Sequence, residues 1–386
     1  MNALFDYLFA TSIMIIIFLS STASYLSMIA APEKEVSQEQ LLSTAEKVMD
    51  QLLLSEGEPS DWGVRTSTPS SIGLAAKNGS EYQLDLDKLR RLTDNTTATM
   101  LSSKVIFSLL GLEKNYAFRL DITPALNVTV VPTKYLKVGP QQDKDFASAF
   151  NVTVRTHENI LVPNANLSTS LLTAYVEGGG PNADVSYYVS EPKHNITDWK
   201  GQRSFNYTNF IMDLKTKDLT GCVFFVVVNF YGLSSLGSYV CTTGSDTTFA
   251  QIVGDSVLLG ILDAYLPKGA KHPRKGARQI TVNEGAAQAN PGDVLISAYK
   301  DKGIVNYGSK DFRKFELSYI EPGTIYIALV VKTTGRNYLV ICSRIPNLIP
   351  IGSNLPSGTV TAHIRRLVYV EGISYYADLH LWKMSD

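Results

Sequence analysis

The chain has 386 residues, with 35 Lys and Arg against 36 Asp and Glu, a net charge of −1. That length accommodates two or three domains, and so even a balance gives no whole-molecule field for nucleic acid, which is not expected as a partner. Tyr is frequent, at 20 residues, and strand-like runs dominate after residue 115, the pattern of a mainly-β ectodomain and not of an alternating α/β chain.

In chain order the first element is LFDYLFATSIMIIIFLSSTASYLSMIAA, residues 4–31. No side chain from Tyr7 to Ala31 is charged. At ~1.5 Å per residue this run makes roughly 37 Å of helix, enough to cross a bilayer with some tilt. In hydrocarbon the backbone must satisfy itself, which predicts a helix. Thr11, Ser12, Ser20, Ser21, Thr22, Ala23, Ser24 and Ser27 interrupt the run, and small residues let helices approach closely. Two readings follow: a plain membrane anchor, or a helix that packs against copies of itself. In either, Phe5, Tyr7, the adjacent Phe9 and Ala10, Ile13, Ile16 and Phe18 would supply the packing surface. Asp6 sits at the edge of the run, where a carboxylate either reaches the cytoplasmic boundary or meets a cation from a neighbouring chain. The start lacks the basic region of a secretory signal, so cleavage near Ala23 is not expected. Lys34 and Lys47, the first basic residues, follow the run and code orientation poorly, so the downstream sequons argue for an inside N-terminus.

Pro32 is predicted to end or kink this helix. Beyond it Leu41, Leu42, Ala45, Val48, Met49, Leu52 and Leu53 recur at helical spacing, while Glu39, Glu46, Lys47 and Asp50 fall off the stripe. Gly57 and Pro59 stop the pattern. Residues 1–56 thus read as one long rod, a transmembrane or filament-core helix, apolar all round below and amphipathic above. The stripe would pack on the chain's own β-structure or on a neighbouring rod. Residues 55–75 read as a turn-rich connector with Trp62 as its only large apolar group. Two short amphipathic segments follow, around 84–92 and 97–112, with Leu84, Leu86, Leu89 and Leu92 facing inward.

Strands come next. Phe118, Leu120 and Ile122 alternate with Arg119 and Asp121; Leu126, Val128 and Val130 with Asn127 and Thr129; Phe150, Val152 and Val154 with Asn151 and Thr153. From 165 to 243, short apolar runs separated by Gly, Pro and Asn turns suit an immunoglobulin-like sandwich. CVFFVVVNF is apolar on both faces and is expected at its centre. More strands follow to the end, where Glu371-Gly372 turns between two of them and Leu379 and Leu381 share one face. The expected fold class is α+β: a long N-terminal hydrophobic helix (1–56), a connector with a first β-rich domain (57–164), an immunoglobulin-like domain (165–243) and a C-terminal β domain (244–386).

Seven N-x-S/T sequons stand at Asn78, Asn95, Asn127, Asn151, Asn166, Asn195 and Asn206. Chance would give roughly three. In both NVT sequons Asn and Thr share one face of an alternating strand, a solvated face open to covalent N-glycans; accidental sequons on polar loops are the alternative. Cys222, Cys241 and Cys342 make an odd number. Cys222–Cys241 is the local disulfide candidate, and buried thiols are the other reading, since each lies in an apolar run. No C-x-x-C occurs, which removes the usual zinc and thioredoxin signals. Lys268, Lys271, His272, Arg274, Lys275 and Arg278 form a basic stretch, either a solvated loop or a contact for acidic glycans. His157, His194, His272, His363 and His380 are scattered, Asp184, Asp198, Asp213 and Asp218 make no calcium-loop spacing, and no catalytic motif occurs. No catalytic residue, metal or cofactor is expected, although a site assembled across the fold would leave no local trace.

FDYLFATSIMIIIF, AEKVMDQLLLSEGEPSDWG with SIGLA, LRRLTD with SLLGLEKNYAFRLDI, and the terminal RRLVYVEGISYYADLHLW together resemble archaeal type IV pilin-like surface proteins. The resemblance covers about the first 130 residues and the last 25, with GEPSDWG its most distinctive piece and the middle of the chain outside it. It implies helices bundled into a filament core with β-domains outside, and copies of the chain as partners. It also implies a carboxylate at the fifth mature position paired with the N-terminal amine of an adjacent subunit. Asp6 takes that position if maturation starts at Asn2, although the family residue is Glu and no Lys/Arg-Gly stands before Asn2. The expectation is a structural subunit of an extracellular filament with adhesion as its role. A single-pass, membrane-anchored surface adhesin or envelope protein that does not polymerise is the second reading.

Overall fold

The computed structural model describes backbone elements between Asn2 and Lys383, and side chains over residues 11–25, 38–240 and 350–384 apart from short gaps; residues 94–99, 139–143, 178–183, 243–249, 261–280, 318–325 and 344–349 are among those outside it. The fold is α+β, mostly strands after N-terminal helices. Among the described residues no helix is long and apolar enough to cross a membrane. Of the 4–31 stretch expected to do so, side chains 4–10 and 26–31 lie outside the described residues.

Helix α1 spans Asn2–Leu54 and is not ended by Pro32. A proline costs a helix about 3 kcal/mol, which long helical segments on both sides outweigh. Leu41, Ala45, Val48, Met49, Leu52 and Leu53 are buried, as the i, i+4, i+7, i+8 spacing requires. Leu42, expected in this stripe, is 45% exposed because a step of one residue turns it to the flank.

After β1 (Gln83–Leu84) come α2 (Leu86–Thr93) and α3 (Ser103–Leu109), and Leu84, Leu86, Leu89 and Leu92 are all buried as expected. The preceding loop is more than a connector. Leu74 N–H donates to Leu52 O at 2.7 Å and Ala75 N–H to Ser55 O at 3.0 Å, satisfying carbonyls where α1 ends. Trp62 is fully buried and its Nε1 donates to Gly73 O at 3.0 Å. Arg91 lies 5.6 Å from the Trp62 ring and donates to Trp62 O and Ser67 O. Lys88 Nζ, fully buried, donates to Glu56 O at 2.9 Å and Ala75 O at 2.7 Å. Only Gly fits at position 73, where a Cβ would come within 2.2 Å of Ser55 O. This loop is a clamp that holds the end of α1 to α2.

Strands β2 (Tyr116–Pro124), β3 (Leu126–Val138), β4 (Lys144–Thr156), β5 (Asn166–Glu177), β6 (Asp184–Val189), β7 (Lys193–Ile196) and β8 (Gln202–Asn206) precede α4 (Thr208–Asp213). Then come β9 (Asp218–Phe230), β10 (Leu233–Thr242), eight strands from β11 (Ala250–Val253) to β18 (Arg336–Ser343), β19 (Ile351–Gly352), β20 (Thr361–Val370) and β21 (Ile373–Lys383). One sheet has the order β1-β20-β21-β2-β19. Its β20–β21 hairpin turns on Glu371 and Gly372, at φ 49° and 79°, the left-handed pair that a two-residue turn needs. Its inner face, with Phe118, Leu120, Val368, Ala377, Leu379 and Leu381, packs with the α1 stripe from Leu41 to Leu53 in one core.

A second core joins the sheet β3-β4-β8 to the sheet β10-β9-β5-β6, which also carries β7. Phe150 stacks on Phe224 there, ring centroids 4.3 Å apart. β9 is apolar on both faces, as CVFFVVVNF predicts, because each face meets a different core: Phe224, Val226 and Val228 the second, Val223 and Phe225 the first. Sheet membership cuts across the divisions expected at 164 and 243. β3 and β4 share a core with β5 and β9, and the sheet containing β2 is completed by the end of the chain. β11 to β18 form two four-stranded sheets whose side chains, save that of Glu316, lie outside the described residues.

Candidate functional site

The described part of the N-terminal run, 11–25, projects apolar side chains on all sides. Ile13, Met14, Ile15, Ile16, Ile17, Phe18 and Leu19 are 43 to 74% exposed. The hydroxyls of Ser20, Ser21, Thr22 and Ser24 are satisfied within the helix. Ser20 donates to Ile17 O at 2.9 Å, Ser21 to Phe18 O at 3.0 Å, Thr22 to Phe18 O at 2.8 Å and Ser24 to Ser20 O at 2.9 Å. Back-bonded hydroxyls ask nothing of their surroundings, so these four can enter an apolar environment without being stranded. Ile13, Ile16 and Phe18 are therefore placed on an open surface; Phe5, Asp6, Tyr7, Phe9 and Ala10 lie outside the described side chains.

The second polar feature is the outer face of the first sheet, opposite α1. The hairpin register pairs His363 with His380 and Arg365 with Asp378, and β2 adds Arg119 beside His380 and Asp121 beside Asp378. The two imidazoles stack, with centroids 4.4 Å apart and planes 9° from parallel. Asp378 Oδ1 accepts from His363 Nε2 at 2.9 Å and from Arg365 Nε at 2.7 Å. Arg119 Nε donates to Asp121 Oδ2 at 2.8 Å. From the end of β4, His157 reaches the same face. Arg365 Nη2 lies 3.3 Å from His157 Nε2 and must donate, so Nδ1 carries the proton and donates to Thr123 Oγ1 at 3.3 Å. His157 also meets the Tyr376 ring edge-on, centroids 5.7 Å apart. Burial alone would raise the Asp378 carboxyl, but the hydrogen bonds from Arg365 and His363 win and hold it below the usual carboxylate range. Burial, then the neighbouring His363, push His380 below the ordinary histidine value. In this array the side chains of Arg119 and Arg365 are balanced by those of Asp121 and Asp378. Parallel stacked rings do not aim their lone pairs at one point, and among the described residues no group of three His, Cys, Asp or Glu is placed to hold a metal ion.

Sequence reasoning left these histidines scattered. Counting outward from the two-residue turn at Glu371-Gly372 would have paired His363 with His380, whereas nothing local signals His157. His194 stands apart, exposed on β7, and His272 with its basic stretch lies outside the described residues.

The sequons are spread over the upper structure. Asn78 is exposed in a turn at φ 56°, and Asn95 lies outside the described residues. Asn127, Asn166 and Asn206 are exposed, and Asn151 and Asn195 half-buried. Cys222 is buried and Cys241 is its direct cross-strand partner in the β9–β10 register. Opposed Cα atoms in an antiparallel pair stand about 4.5–5.5 Å apart, within disulfide reach. The Cys241 and Cys342 side chains lie outside the described residues. No protein-family model matches the chain, and no curated protein is significantly similar to it.

Proposed function

We propose that this chain is a structural subunit of an extracellular, archaeal pilus-like filament, with N-terminal helices bundled at the centre, immunoglobulin-like β-structure outside and adhesion as its role. The observation that carries the reading is α1 itself. Its stripe from Leu41 to Leu53 is locked into the first core, while Ile13 to Leu19 continue outward with apolar side chains exposed and the hydroxyls of Ser20, Ser21, Thr22 and Ser24 bonded to helix carbonyls. Seven large apolar residues gain roughly 10–20 kcal/mol in gross transfer free energy on burial. Neighbouring copies of the same helix offer small residues for close approach and a surface of the same length. The pilin-like stretches GEPSDWG and LRRLTD support the reading: they build the clamp in which Trp62, Lys88 and Arg91 hold the end of α1, as a rod bearing an outer β-structure requires.

The test is electron microscopy of filaments shed from the source cells, with mass spectrometry of their constituent chain. Fibres containing this chain are expected; recovery only as monomers in membrane extracts overturns the proposal. The charge-free run 7–31 favours one second reading, a surface adhesin anchored through the same helix in lipid. N-terminal sequencing separates the two, because a newly exposed Asn2 or Ala3 counts against a static anchor.

A further inference from the structure

Three of the sequons share one surface. On the sheet β3-β4-β8, Phe150, Val152 and Phe205 point inward and are buried. The alternation places Asn127, Asn151 and Asn206 on the opposite, outer face. The register sets Val131 across from Asn151 and Asn151 across from Ser204. With ~3.3 Å per residue and ~4.8 Å between strands, Asn151 lies about 8 Å from Asn206 and about 14 Å from Asn127. The side-chain carbonyls of two of the three are occupied by the protein: Ser204 Oγ donates to Asn151 Oδ1 at 3.3 Å and Thr208 N–H to Asn206 Oδ1 at 2.8 Å. That leaves Nδ2 as the group available for a bond outward. Thr129 and Thr153, the hydroxyl residues of two sequons, lie on the same face two positions along each strand. Val131, directly beside Asn151, is 51% exposed, an apolar side chain that a sugar attached there would cover.

We infer that the outer face of the β3-β4-β8 sheet is a glycan-bearing surface on which Asn127, Asn151 and Asn206 each carry an N-linked oligosaccharide. The inference rests on the extracellular reading, because the donor is an oligosaccharide linked through phosphate to a membrane lipid. In the transfer, Asn Nδ2 bonds to the first sugar carbon, the bond from that carbon to the phosphate oxygen breaks, the lipid phosphate leaves with the electron pair, and the amide proton passes to a transferase base. A face covered in this way is closed to a second copy, so contacts between neighbouring outer domains use the other surfaces.

The experiment is glycopeptide mass spectrometry on the full chain purified from its source, together with protease treatment of intact cells. Occupancy at all three sites is expected, with the Thr129→Ala, Thr153→Ala and Thr208→Ala variants each losing one glycan mass while Asn stays in place. If surface protease cleaves the chain and the three peptides are unmodified, or only other sequons are occupied, the glycan face is wrong and the extracellular reading survives. If surface protease never reaches the chain, the extracellular reading fails and takes the glycan face with it.

Discussion

Lys88→Met tests whether the clamp at the end of α1 holds rod and outer structure together. The ammonium is fully buried and bridges Glu56 O and Ala75 O, which take no other backbone donor among the described residues of the loop, with Asp85 Oδ2 at 3.9 Å. Met matches the stem but donates nothing. Each buried carbonyl left unpaired costs about 1–3 kcal/mol. Part of that is offset, because the native ammonium itself suffers from burial, which pulls the Lys88 pKa down against the pull of Asp85, Glu56 and Asp61. The net expected loss is about 2–4 kcal/mol, and at about 2–4 °C per kcal/mol the Tm falls by roughly 5–15 °C. Urea unfolding of the detergent-solubilised chain, followed by tryptophan fluorescence, measures it, since Trp62 is fully buried in the clamp. The denaturation midpoint should fall with little change in slope. A loss below about 0.5 kcal/mol, the range of an ordinary surface substitution, refutes the assignment of Lys88 as the tie.

Acid should destabilise the chain in two steps. His380 has a lowered folded pKa, so its contribution is full above the ordinary histidine value near ~6.5 and is lost as pH falls from there to the folded value. Asp378 is also lowered, so its contribution is present above about 3.9 and is lost as pH falls through its folded pKa. Urea midpoints from pH 8 to pH 3 should show both steps, His380→Gln removing the upper and Asp378→Asn the lower; superimposable profiles would contradict the array. Phe150→Ala, which removes the ring stacked on Phe224, should cost about 3–5 kcal/mol in the same assay, and a loss under about 1 kcal/mol would show that the two sheets do not share this core.

What the sequence made legible follows the range of the interactions. Alternation at Phe118, Leu120 and Ile122 and the stripe at Leu41 to Leu53 depend only on local period and burial, and they were readable. Leu42 was not, because the stripe's width depends on what it packs against. CVFFVVVNF showed two apolar faces, but not that one meets the sheet pair and the other the core under α1. Trp62 looked like a lone aromatic in a connector, since its burial needs a loop to fold back over α2. The pairing of β2 with β21 joins residues 116–124 to 375–383, and strand alternation carries no information about partners so distant.

The same long-range pairing bears on how a filament subunit would carry load. Tension on α1 passes to β20 and β21 through the stripe from Leu41 to Leu53, and from β21 to β2 across nine paired residues. β2 then runs into β3 through Ala125, whose N–H donates to Ser374 O at 2.9 Å. Ser374 Oγ also accepts from Ser234 N–H at 3.0 Å, and Ser235 Oγ donates to Leu126 O at 2.6 Å. Ser374 is fully buried, so these bonds are shielded from water. The passage from the first sheet to the outer pair is thus braced on both sides by β10 and β21 instead of hanging on a single strand. Freeing the outer structure requires first breaking β2 from β21, a shear of many hydrogen bonds at once. That is the mechanical property a filament subunit needs, and it follows from where the last strand pairs.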